Sequence, residues 1–192
     1  MVLPSSLLSG NSKQEMRRFL DRLYLASGAV GASFIALICI VMIAQSILRE
    51  FGVRTGAAND VVAWSCAAAS FFAMAHAFKH GDFVRVTLLL EAVPARIRRV
   101  LEITSLAIAS VSVGYLVFWA NKFTYDSWQF DEKAQGLLAI PIWIPQMSFA
   151  LGSILLLIAV VDELIIVLRG GRPSFVVAVE ERHAKGDFSS DV

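Results

Sequence analysis

Cysteine, histidine and proline are scarce in this chain: two, three and five among 192 residues. Cys39 and Cys66 each fall inside an apolar block, and no CxxC pair exists. That pattern argues against a disulfide framework, a thiol-redox centre and a zinc site, and both cysteines read as small apolar packing residues. His76 and His80 are four apart, a spacing that metal sites use. From a single helix they cannot hold opposite faces of one haem, and no other apolar block supplies a histidine, since His183 lies in the tail. They read as an interfacial pair at the end of a span.

Net charge is equally sparing, at +1, so no basic excess points to nucleic acid. There is no Walker motif, no Gly-rich phosphate loop and no serine-triad signature. Inverted repeats and the matched Gly/Pro-broken helices of a carrier are also missing. The chain therefore reads as a non-enzyme, with no cofactor or metal expected.

What the sequence has is apolar length. Apolar residues make up 57% of one domain-sized chain, and they come in four long blocks, at about 23–48, 61–78, 100–120 and 146–168. A helix rising 1.5 Å per residue needs about 20 residues to cross the hydrocarbon core. The first block carries no charge, is too long for a signal-peptide core, and is read as a retained span. Asn59 or Asp60 would cap the second; Gly170, Gly171 and Pro173 stop the fourth. The expected fold is an all-α integral membrane protein of four transmembrane helices. Residues 1–22 form an N-terminal tail with an interfacial helix, 23–168 the membrane domain, and 169–192 a C-terminal tail.

Basic residues orient the spans. Thirteen of the seventeen lie in the N-terminal tail, the loop between spans two and three, and the C-terminal tail. The split predicts both termini and the central loop in the cytoplasm; three spans would break it.

Several segments between the spans carry their own signals. Ser12-Lys13-Gln14-Glu15 fits a capping box, which predicts a helix starting near Lys13. Phe83, Val86, Leu90, Val93, Ile97 and Val100 recur at helical spacing with Arg85, Glu91, Arg98 and Arg99 between them. This is either an in-plane amphipathic helix on anionic lipid or the ends of spans two and three, with Pro94 suited to the first turn of span three. The loop 123–143 holds Tyr125, Trp128, Phe130 and Trp143, an aromatic belt. Within it, Ile140-Pro141-Ile142-Trp143-Ile144-Pro145 is expected to be extended or turned rather than helical. Such irregular backbone needs a protein cover.

Glu102, Asp162 and Glu163 lie at or near membrane depth, where ionisable residues are functional candidates by default. All three sit near cytoplasmic helix ends, close in sequence to Arg98, Arg99 and Arg169. Interfacial ion pairing or snorkelling accounts for them. Gly28, Ala32 and Ala36, and Ala69, Ala73 and Ala77, allow close helix packing.

Two stretches carry a family resemblance. The run from Ala75 to Val86 is an apolar helix end followed by Lys79, Gly81, Asp82 and Val84-Arg85-Val86, with Leu88 to Pro94 beyond. The run from Ile140 to Gly152 has Pro141, Trp143, Pro145, Gln146 and Gly152 in order before the last span. With four spans, this length and this orientation, the chain from about Phe19 to Leu168 resembles the small permease (Q) subunit, the DctQ family, of tripartite ATP-independent periplasmic (TRAP) transporters. That family often has His at the place of Asp82, Asp at that of Thr87, and an acidic pair where Asn59-Asp60 stand.

The resemblance implies a subunit of the bacterial inner membrane. It scaffolds a large permease subunit for sodium-coupled uptake of a solute, an organic acid by expectation, delivered by a periplasmic solute-binding protein. It also implies Arg85, Pro141, Trp143, Pro145, Gln146 and Gly152 as a subunit or lipid interface, with membrane lipids as further partners. The main alternative, a tetraspan anchor or cytochrome-type subunit of a redox complex, needs axial histidines on two spans. A haem Soret band in the purified protein would put that alternative first.

Overall fold

The computed structural model describes residues 6–53, 55–80, 94–136, 138–171, 173–177 and 184. Four helices account for most of them: α1 (Ser6–Glu50), α2 (Ala57–His80), α3 (Ala95–Gln129) and α4 (Trp143–Leu168). Each contains a stretch long and apolar enough to cross a membrane. Helices suit that solvent because every interior amide is satisfied within its own segment. Among the described residues there is no strand beyond one isolated bridge between Lys133 and Pro141. The stretch that would form an in-plane helix, 83–93, lies outside the described residues, as does Arg85.

The helices stand in a row rather than a closed bundle. α1 packs on α2, α2 on α4, and α4 on α3, while α1 only grazes α4. The two middle helices are the better covered, with 39% of the most apolar stretch of α4 buried against 6% of that of α3. On α4 the buried residues Gly152, Leu156, Ala159, Val160, Glu163 and Val167 recur every three or four positions, one face of a 3.6-residue helix.

Lipid tails are as apolar as the side chains, so helix association in a bilayer rests on close packing more than on expulsion from water. The contacts here follow that rule. A β-carbon on Gly31 would stand 3.1 Å from the Ala69 carbonyl oxygen, and one on Gly28 would stand 2.8 Å from the His76 ring. The Ser27 hydroxyl donates to the Phe72 carbonyl across the same α1–α2 seam. Between α2 and α4, a β-carbon on Gly152 would fall 2.6 Å from that of Phe71, and the Phe71 ring meets Phe149 edge-on at 4.5 Å.

Three boundaries differ from those expected. α1 begins at Ser6 and runs through Ser12 without interruption, so the capping box is not a helix start. Serine and asparagine inside a helix cost only a few tenths of a kcal/mol each, about 1 for Gly10, too little to stop it. α3 starts directly after Pro94, in line with the suitability of that proline for the start of span three, but continues past Ala120 to Gln129, placing Phe123, Tyr125 and Trp128 on a helix rather than in a loop. The proline segment divides: Ile140 and Pro141 are extended, with Ala134 N–H donating to the Ile140 carbonyl and Ile142 N–H to that of Glu132, both at 2.9 Å. Trp143 to Pro145 already form the first turn of α4. Proline is tolerated there because first-turn amides have no intrahelical acceptor.

Gly152→Val should lower unfolding stability in detergent by about 1–3 kcal/mol through overpacking against Phe71. Gly114→Ala, whose β-carbon has its nearest neighbour at 4.0 Å, should be neutral or stabilise by about 0.5–1 kcal/mol. Denaturant titration of the two variants side by side checks the contrast.

Candidate functional site

At the end of the row where α2 and α4 finish, polar groups from three helices converge. Spans two and four run in the same direction, so Lys79, near the end of α2, lies level with Asp162 and Glu163, near the end of α4. Lys79 Nζ stands 3.1 Å from Asp162 Oδ2 and 3.8 Å from Glu163 Oε1. Neighbouring positions on a helix point about 100° apart, which lets both carboxylates reach one ammonium.

Glu163 is fully buried. Burying a carboxylate is tolerated only where it is paired and hydrogen-bonded, and Glu163 is both. Besides Lys79, its two oxygens accept from the Ser174 backbone N–H at 3.0 and 3.2 Å. The bond reaches back along the chain because Gly170, at φ +83°, reverses it after α4. A side chain there would be strained in the left-handed region. The returning segment places Phe175, 9% exposed, edge-on to Phe78 at 6.3 Å. The buried carboxylate thus ties the start of the C-terminal tail onto the α2–α4 pair.

Tyr24 completes the cluster from α1. It is 1% exposed, packed with Ala75 and Ala159, and Lys79 Nζ lies 5.6 Å from its ring centre. Its hydroxyl is buried with no hydrogen-bond partner among the described residues. His76 Nδ1 meets the Tyr24 carbonyl at 3.2 Å, His80 Nδ1 meets the His76 carbonyl at 2.9 Å, and the two rings lie 4.0 Å apart, tilted by 31°. The histidines therefore bond to backbone across and along the α1–α2 seam. Among the described residues no group of three potential ligands is placed to hold a metal.

The pairing differs from the one read from sequence proximity. Arg98 bonds Glu102 one turn away at 3.1 Å, but Asp162 and Glu163 turn to Lys79 of α2 rather than to Arg98, Arg99 or Arg169. The reason is geometric: those arginines are exposed or half-exposed at the helix ends, while the carboxylate of Glu163 faces the α2–α4 seam. Arg99 instead extends toward Gly170, where a β-carbon would lie 3.6 Å from its guanidinium. That brings a cation to the negative end of α4. Lys79 was missed as a partner, although its level was readable: two spans of the same direction ending in opposite charges bring those charges to one depth.

The residues implied as a subunit or lipid interface are spread out. Pro141 and Trp143 are half-buried in the turn into α4, and Pro145 lies in its first turn. The Gln146 side-chain oxygen is buried with no partner among the described residues. Gly152 faces inward on Phe71, serving the crossing within this chain. At that same end Ser127 Oγ donates to Glu132 at 3.0 Å, steadying the turn after α3.

The family model for tripartite ATP-independent periplasmic transporters, DctQ component, matches residues 38–170. No curated protein matches the chain.

Lys79→Met should destabilise the protein by about 3–5 kcal/mol, since it leaves a buried carboxylate without its cation. Adding Asp162→Asn and Glu163→Gln should recover much of that loss. Unfolding curves for the single and triple variants measure the coupling.

Proposed function

The chain belongs to the DctQ component family of tripartite ATP-independent periplasmic transporters, and from that premise we propose that it is the non-catalytic small membrane subunit that holds a large permease subunit in the bilayer. The observation that carries this reading is the open row. Its outer helices, α1 and α3, are each packed along one side only, which leaves long apolar faces free for another membrane subunit and for lipid. The described ionisable groups support it as well. Glu102, Lys79, Asp162 and Glu163 sit near helix ends and are paired with one another or with Arg98, an arrangement that anchors helices rather than conducting a solute.

In this reading the large subunit carries the transported solute and the coupling sodium ion, and a periplasmic solute-binding protein delivers an organic acid. The chain lies in the bacterial inner membrane with both termini in the cytoplasm. Selectivity then belongs to the other two proteins, which fits a chain whose buried polar cluster binds its own tail. Arg85 belongs in this proposal as a membrane-surface cation, and Trp143 as an outer-edge anchor at the turn into α4.

Proteoliposomes holding this chain alone should show no uptake, while those that also hold the large subunit, supplied with binding protein and a sodium gradient, should accumulate solute. Arg85→Glu and Trp143→Ala should each lower uptake in proportion to the complex recovered by pull-down. Normal recovery with lost transport would show that these residues do more than hold the assembly. Uptake by the chain alone would sink the scaffold reading.

A further inference from the structure

The two outer helices of the row expose different chemistry at membrane depth. On α1, between Leu25 and Ala44, the exposed positions are Leu, Ile, Val, Met and Ala with two exceptions. Ser33 donates its hydroxyl to the Val30 carbonyl at 2.7 Å, and Cys39 behaves as a small apolar group. This face asks nothing of its surroundings that a hydrocarbon tail lacks. The exposed side chains of α4 from Ile144 to Leu168 are likewise aliphatic.

α3 is different. Glu102 and Lys122 bracket its uncharged stretch, about 30 Å apart by helical rise, which matches the hydrocarbon thickness. Between them Thr104, Ile108, Ser112, Tyr115 and Trp119 are exposed, and their spacing puts them on one face of the helix. Tyr115 is 67% exposed, and its ring meets that of Trp119 edge-on at 6.1 Å between ring centres. Other α3 hydroxyls are satisfied at home: Ser105 donates to the Glu102 carbonyl and Ser110 to that of Leu106. The hydroxyls of Thr104, Ser112 and Tyr115 make no hydrogen bond among the described residues.

Snorkelling does not rescue Tyr115. Long side chains on a helix lean toward its N-terminus, which carries this hydroxyl away from the Lys122 end and toward the middle of the bilayer. An unbonded hydroxyl in hydrocarbon is costly, and lipid tails offer no acceptor. Protein does, through backbone carbonyls and the side chains of Ser, Thr, Asn and Gln on a neighbouring helix.

We propose that the α3 stripe Thr104–Ile108–Ser112–Tyr115–Trp119 is the face against which the large membrane subunit packs, presenting hydrogen-bond acceptors to the Ser112 and Tyr115 hydroxyls. The α1 face is left to lipid. This rests on the scaffold reading above and adds to it which side of the row is occupied.

The test uses the full chain co-expressed with its large permease subunit. A photo-cross-linking amino acid is placed singly at Ser112 or Tyr115 on α3, at Ile40 or Ile43 on α1, and at Ala67 on α2. Adducts with the large subunit are expected from the two α3 positions and not from α1. In parallel, Tyr115→Phe should weaken retention of the complex about threefold, the usual effect of one interhelical hydrogen bond in a membrane, and Ile43→Ala should leave it unchanged. An intact complex that cross-links only through Ile40, Ile43 or Ala67 would overturn the assignment and spare the scaffold reading. So would unchanged retention when Ser112→Ala and Tyr115→Phe are combined. Failure of the unaltered chain to co-purify with the large subunit would overturn both.

Discussion

The contact between the Lys79 ammonium and the carboxylates of Asp162 and Glu163 joins the two helices on which the others hang. α2 and α4 are the middle of the row, and each outer helix leans on one of them. Were the charges separated, Glu163 would be left buried without a cation, a state that costs far more than an exposed ion pair would gain. The same carboxylate holds the Ser174 amide, so one buried group sets both the α2–α4 register and the path of the chain leaving the membrane.

Around that lock, shape does the rest. Gly152 against Phe71, and Gly31 against Ala69 and Ala73, bring backbones to distances that no larger residue permits. In a solvent without a hydrophobic driving force, such approaches and the few polar bonds across them are the main sources of association. The exposed apolar side chains of α1 and α3 then need no excuse: in lipid an exposed leucine is a solvated one.

Much of this was legible in the sequence, and for identifiable reasons. Four apolar blocks gave four helices, because length and hydropathy are strong signals where the solvent is hydrocarbon. The family likeness carried by Ala75 to Val86 and by Ile140 to Gly152 agrees with the family match over 38–170. Boundaries were less legible. The Ser12 signal was overridden by continuous helix, and Pro145 sits inside a helix it was expected to precede, since a first turn needs no amide from it. The charge cluster was half legible. Asp162 and Glu163 were marked by their depth, but their partner Lys79 lay on α2, 83 positions from Asp162, and neighbourhood in sequence pointed to arginines that face outward. Tyr24 gave no signal, because a tyrosine near the start of a span looks like an interfacial anchor until two other helices close over it.

A single row of helices has a mechanical character that a closed bundle lacks. In a bundle each helix is braced from two directions, so bending one seam strains another. In a row each seam has less across from it; here the exception is Tyr24, through which α1 also meets α4. Here the seams are unequal: the central one is clamped by charge and by the folded-back tail, while the flanking ones rest on close packing and, between α1 and α2, on hydrogen bonds through Ser27 and His76. The sheet of helices is therefore locked by charge along its midline and open along both edges, so that a neighbour can seat at an edge without parting the charged seam.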